Sequence, residues 1–315
     1  MLSFNGHFNN FGSDQDIPKN GPKHDQIDES YFKEAHFFSV TNKRPALQFQ
    51  SNELSLSNLD GVVIAFDPNG VIYRYERNGE ELEPINFKAK NARTLLNKKE
   101  MYLDNDVEIN LSNTSLKAQK MTIISNGDVL YANRDVKTFS TIIKTNDQIS
   151  ITAQEAIYRP KDQFFEYINQ VEGIIRRKKS YEENISFKAD FLTLDAPKSL
   201  ASMKGNVTFK KDNLEASANS GDIFLENYNK RLKYYALSDD VRLQERLTRS
   251  GKPIVRKAFS EKLEGLISDK KIILTGLPKV FQDKDVIKGN RIIIRENVET
   301  VEVDDANTSI TLENK

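Results

Sequence analysis

Few side chains in this chain can do covalent or metal chemistry. There is no Cys and no Trp, and the three histidines, His7, His24 and His36, all fall near the start. The body of the chain therefore offers no thiol nucleophile, no His-based triad and no Cys/His zinc set. What remains are carboxylates and cations. Asp239-Asp240 and Asp304-Asp305 are paired acids. Neighbouring acids on a strand point to opposite faces, so neither pair makes an acid–base dyad, and a calcium role needs further oxygens converging in space. Arg176-Arg177-Lys178-Lys179 is the densest basic run and fits a phosphate or carboxylate chemically. At such a position a solvated hairpin tip is the commoner role. Lys210-Lys211, Lys230-Arg231 and Lys270-Lys271 sit beside turns and read the same way. No EF-hand, P-loop or G-x-S-x-G pattern occurs. No catalytic residue, metal site or cofactor is expected.

The elements that carry these residues are short and alternating. Ala46-Leu47-Gln48-Phe49-Gln50, Val107-Glu108-Ile109-Asn110-Leu111 and Ile149-Ser150-Ile151-Thr152-Ala153 place every second side chain on an apolar face. Val207-Thr208-Phe209 and Val241-Arg242-Leu243 do the same. Period two marks strands with one face on a core and one in water. Asp67-Pro68-Asn69-Gly70, Ser125-Asn126-Gly127-Asp128 and Ser250-Gly251-Lys252-Pro253 separate them as turns. Long helical periodicity is missing. Glu29 to Phe38 fits a helix face or a strand equally well. Residues 1–29 show no periodicity and read as a flexible leader. Lys plus Arg and Asp plus Glu each number 46, so zero net charge gives no pull toward nucleic acid. No run of apolar residues is long enough for a membrane-spanning helix.

One phrase recurs: a strand with an Ala, a turn, then (Gly/Asp/Asn)-x-Val-x-apolar. The Ala anchors are Ala89, Ala118, Ala153, Ala189 and Ala216, spaced by 29, 35, 36 and 27. Their answering phrases begin at Asn105, Gly127, Gly173, Gly205 and Asp239. Such repetition indicates stacked units that bury an apolar face against their neighbours, and the uneven spacing favours a folded-over sheet over a strict β-helix. Gly before Val suits a bulge or sharp bend.

These phrases, with Tyr158 as a hairpin aromatic and the closing Val286 to Ile294 and Val298 to Val303, resemble the OstA-like family of lipopolysaccharide transport proteins, LptA and LptC. The resemblance covers roughly residues 40–305. It implies an all-β, elongated antiparallel β-jellyroll (a β-taco) of two V-shaped sheets with an apolar interior. The chain is about twice the length of one such domain, which suggests two consecutive units: an LptC-like half over 30–145, an LptA-like half over 146–305, and a tail over 306–315. The resemblance further implies a periplasmic, non-enzymatic component, its targeting or anchor segment absent from this chain. Acyl chains of lipopolysaccharide would lie against the inward faces. Expected partners are lipopolysaccharide, other jellyroll proteins joined by end-to-end strand pairing, and an inner-membrane ABC transporter complex. The expected groove residues are Val107, Ile109, Leu111, Ile149, Ile151, Phe187, Phe191, Val207, Phe209, Ile223, Leu225, Val241 and Leu243. A carbohydrate-active enzyme on a β-helix and a structural β-repeat surface protein with a filled core are the alternatives.

Overall fold

The computed structural model describes residues 3–5, 29–57, 61–142, 146–179, 183–225, 232–249, 252–282, 285–298 and 300–304. Among them every regular element is a strand, and every pairing whose register is resolved is antiparallel. The chain divides into two compact units, Met1–Val136 and Lys137–Lys315.

The first unit holds β1 (Ser3–Asn5), β2 (Glu29–Thr41), β3 (Arg44–Ser57), β4 (Val62–Phe66), β5 (Asn69–Tyr75), β6 (Glu81–Lys88), β7 (Asn91–Leu95), β8 (Glu100–Leu111) and β9 (Thr114–Ile124). The division falls within β10 (Val129–Thr141). The second unit continues with β11 (Gln148–Arg159), β12 (Phe164–Arg176), β13 (Ile185–Asp195), β14 (Leu200–Lys211), β15 (Leu214–Leu225), β16 (Leu232–Arg249) and β17 (Lys252–Leu266). It closes with β18 (Lys271–Thr275), β19 (Lys279–Gln282), β20 (Asp285–Lys288), β21 (Arg291–Arg295) and β22 (Val301–Asp304). Residues Glu29 to Phe38, open between helix and strand in the sequence, are strand. Of the expected leader, Ser3–Asn5 pairs with β2 and Glu29 begins it; its other residues lie outside those described, as do 305–315.

Five long strands, β8, β10, β12, β14 and β16, share one local device that bends them. Asn105-Asp106, Arg134-Asp135, Asn169-Gln170, Gly205-Asn206 and Asp239-Asp240 all take left-handed φ, two in succession. Each pair is followed by a valine: Val107, Val136, Val171, Val207 and Val241, spaced by 29, 35, 36 and 34. At Asn105-Asp106, Asn169-Gln170, Gly205-Asn206 and Asp239-Asp240, two residues oppose one on the next strand, which is a β-bulge that turns the strand. Asn, Asp and Gly tolerate this conformation best. The valine then faces a small residue across the crease: Val107 opposite Ala118, Val171 opposite Ala189, Val207 opposite Ala218 and Val241 opposite Ser260.

This corrects the sequence reading of the repeat. Gly127 is not a bend; it lies in the turn between β9 and β10 with φ of 97°. Gly173 is not one either. It lies within β12 under the ring of Phe187, where an added Cβ would sit 2.0 Å from the ring. The bends of those two repeats are Arg134-Asp135 and Asn169-Gln170, where no glycine marks them.

Because these strands bend, each unit has two facing sheets, named A and B separately in each. In the first unit β3 pairs with β5 over Leu47–Gln50 and with β4 over Glu53–Ser57, while β8 pairs with β6 on one side of its bend and β7 on the other. In the second, β17 pairs with β19 before its bend and β18 after it. Sheet A carries β5 and β6 in the first unit, β19 and β20 in the second. Sheet B carries β4 and β7 in the first unit, β18, β21 and β22 in the second. The hairpin turns line up as two lips facing each other across the interior. All five Ala anchors are buried, and the crease itself is packed by small side chains such as Ala118, Ala189 and Ala218.

Candidate functional site

The inner faces form the candidate site. Val107, Ile109, Leu111, Ile151, Phe187, Val207, Phe209, Ile223, Val241 and Leu243 are buried. Ile149 and Leu225 are half-buried near strand ends. Phe191 differs from its expected placement. The register shifts between Lys188 and Phe191, so the phase of β13 slips and Leu192 is the buried residue while Phe191 is half-buried.

The two units fill their interiors differently. In the first, a cavity of about 250 Å³ lies between the sheets at the lips. Sheet A supplies Ala46, Leu47 and Ile72. Sheet B supplies Thr94, Met101 and Ile123. Lys99, Glu100 and Asn126 stand at the lip of sheet B, and Ser39, Val40 and Thr41 at that of sheet A. Thr94 Oγ1 is buried and has no hydrogen-bond partner. Deeper in, Phe37 stacks on Phe49 at 4.9 Å and Phe49 meets Phe87 edge-on at 6.2 Å, which gives the cavity a filled floor. None of these residues was in the expected groove set, although Ala46 to Gln50 shows the alternation. An unfilled and a filled interior need the same apolar phase.

In the second unit the sheets meet. Phe209 of sheet A stacks on Tyr235 of sheet B with ring centroids 4.5 Å apart. Tyr235 also covers Gly265, where an added Cβ would lie 2.1 Å from the ring. Outward from that stack a charged network joins the lips. Arg256 and Glu245, both fully buried on sheet A, pair at 2.9 Å. The Arg256 guanidinium also donates to Gln282 Oε1 at 2.8 Å and to the Val298 carbonyl at 2.7 Å. The Asn297 N–H donates to Glu245 Oε1 at 2.8 Å. Lys211 Nζ lies 2.6 Å from Glu296 and 3.0 Å from Glu183. Asn213 Nδ2 donates to Asn297 Oδ1 at 2.9 Å. The turn Glu296-Asn297-Val298, which follows β21 in sheet B, is thus strapped across to sheet A.

Burial pushes the Glu245 carboxyl up, and the Asn297 N–H and Arg256 only partly offset it. Burial works against the Lys211 ammonium, but Glu296 and Glu183 outweigh it and raise its pKa. The Tyr235 phenol is pushed well up, by burial first and then by Glu296 and Glu245. The strap had a signal in the sequence: Glu245 falls in phase with Val241, Leu243 and Leu247, and Arg256 with Ile254 and Ala258. A charge on an apolar phase must find a partner.

The basic run behaves as two kinds of residue. Arg176, Lys178 and Lys179 are exposed, as expected of a hairpin tip. Arg177 is not: it forms a buried pair with Asp147 at 2.7 Å, and Asp147 also accepts the Lys178 N–H. Asp239-Asp240 is a bend, and Asp304 ends β22 beside Arg291. Among the described residues no group of three or more His, Asp or Glu side chains is placed to hold a metal ion.

Residues 186–300, most of the second unit, match the family model described as LptA/(LptD N-terminal domain) LPS transport protein. The match covers little more than a third of the chain. The matched residues run from β13 to β21 and include the Phe209–Tyr235 stack, the Arg256–Glu245 pair and the bends before Val207 and Val241. No curated protein matches the chain. Among solved structures, LptH, the LptA-homologous periplasmic component of the lipopolysaccharide transport device of Pseudomonas aeruginosa, aligns with 16% identity and a TM-score of 0.35. That alignment covers 42% of this chain and 89% of LptH.

Proposed function

We propose that this chain is a periplasmic lipopolysaccharide-transport component that shelters acyl chains between its facing sheets and passes the lipid on without chemistry. The cavity in the first unit carries the reading. It is apolar where Leu47, Ile72, Met101 and Ile123 line it, and it has a cation, Lys99, at its lip. Each methylene moved out of water contributes about 0.8 kcal/mol. Its volume is just below the roughly 300–1,000 Å³ of drug-sized pockets, so it takes a stretch of one acyl chain and not a whole lipid. The similarity of residues 186–300 to the LptA-type family model supports the lipid class. Joining to other jellyroll proteins by strand addition, and delivery from an inner-membrane ABC transporter complex, belong to the same proposal. It is supported by β20 and β22, short strands that end sheets A and B of the second unit.

Titration of labelled lipopolysaccharide into the full chain tests it. Ala46→Phe puts a ring into the cavity and should weaken binding about tenfold, the equivalent of roughly two displaced methylenes. Circular dichroism and the melting temperature serve as the folding control. Unchanged affinity in a folded A46F variant would remove the lipid from this cavity. The closed interior of the second unit favours a second reading for that unit alone, a filled scaffold that joins partners; bound lipid recovered only from first-unit probes would support it.

A further inference from the structure

The outer face of sheet A in the second unit has a pattern that packing does not require. Cross-strand neighbours there share one face and form rows. One row runs Arg242, Phe259, Lys279, Lys288; the next runs Gln244, Lys257, Phe281, Val286; a third pairs Arg246 with Val255. Val255, Phe259 and Phe281 are 44%, 42% and 39% exposed, and Phe259 and Phe281 meet edge-on at 5.8 Å. Leu277, at the bend just before Lys279, is 82% exposed and takes a left-handed φ.

On other outer strands three cations meet an acid across the ladder: Lys117 with Glu108, Lys188 with Glu172, Lys210 with Glu215. Here Arg246, Lys257, Lys279 and Lys288 form no ion pair among the described residues. Lys279 stands directly opposite Lys288, a destabilising placement. The acids at the margin are Asp240, which holds Arg242 at 2.8 Å, Glu215, which stands opposite Gln244 and pairs with Lys210 at 3.6 Å, and Glu261 at the bend. Asp285 pairs in register with Gln282, on the other face.

We propose that this face docks on an anionic phospholipid surface. Interleaved aromatic and basic side chains on an exposed sheet face fit a bilayer interface, where rings enter the headgroup boundary while cations meet phosphates. Leu277, exposed at the adjoining bend, adds a further apolar side chain. The proposal is independent of what the interior holds, because outer and inner faces are opposite sides of the same strands.

Co-sedimentation of the full chain with phosphatidylcholine vesicles, with and without phosphatidylglycerol, tests it. Binding should require phosphatidylglycerol and weaken as salt rises. Lys257→Glu with Lys279→Glu should weaken it about 30-fold or more, at about fivefold per cation lost. Phe259→Ser with Phe281→Ser should weaken it without altering its salt dependence, and Lys117→Glu with Lys188→Glu, on other outer strands, should leave it nearly unchanged. Equal binding to neutral vesicles, no binding to either, or equal loss in both lysine pairs would overturn the proposal. So would binding to polyglutamate with none to vesicles, which would make the partner an acidic polypeptide.

Discussion

The least replaceable side chains are charged ones on an apolar phase. Arg256 is permanently ionised and fully buried, so its stability depends on Glu245, Gln282 and the Val298 carbonyl. Glu245→Gln should cost about 3–5 kcal/mol in denaturant unfolding, because it leaves that charge without its partner. Replacing both, as Glu245→Gln with Arg256→Met, should recover much of the loss. A double variant as unstable as the single one would show that the strap acts through packing alone. The tyrosines give a pH-dependent counterpart. Burial raises the pKa of Tyr167, Tyr234 and Tyr235 above the ordinary 10, with Glu264 adding to it at Tyr234. A phenol whose folded pKa is raised contributes stability that is complete below pH 10 and is lost as pH climbs toward the folded value. Alkaline titration at tyrosinate absorbance should therefore show a delayed group among the 11 tyrosines, released together with unfolding. Simultaneous ionisation of all 11 before unfolding would contradict these burials.

At the scale of the strand, the bend is the unit of construction. Two left-handed residues, a valine, and a small residue opposite it recur through both units. Period-two alternation and the buried Ala anchors were legible because burial imposes them directly on residue type. The bends were legible where a Gly or an Asx-Asp pair precedes the valine, at Asn105, Gly205 and Asp239. They were misread where a conspicuous glycine serves another purpose, as Gly127 does in a turn and Gly173 does beneath Phe187. Arg134 and Asn169 carry no such mark. Asp239→Val with Asp240→Val puts two β-branched residues in the left-handed region, at about 1–3 kcal/mol each. Thermal unfolding should register that loss, whereas the same pair of substitutions at the outward-facing extended positions Arg242 and Gln244 should shift the midpoint little. Gly265→Ala should also destabilise, by about 1–3 kcal/mol, because its methyl meets the Tyr235 ring.

At the scale of the molecule, each unit is a pair of facing sheets whose lips are open or closed by local chemistry. That difference was not legible in the sequence. A cavity lined by Leu47, Ile72 and Met101 and a core filled by Phe209 on Tyr235 present the same alternation, and only the distance between sheets separates them. The strap was legible in part, through the phase of Glu245 and Arg256. If acyl chains enter the second unit, its lips must part. A disulfide from Asn213→Cys and Asn297→Cys, in a chain with no other cysteine, should then block lipid capture at Phe187 and Phe209 reversibly with reductant. The most direct test of sheltering between sheets is site-specific photo-crosslinking to lipopolysaccharide in the full chain. Probes at Leu47, Ile72 and Met101 should capture lipid through its acyl portion, while probes at the outward Gln48 and Tyr102 should not. Capture at Gln48 and Tyr102 with none at the three inward positions would contradict the account.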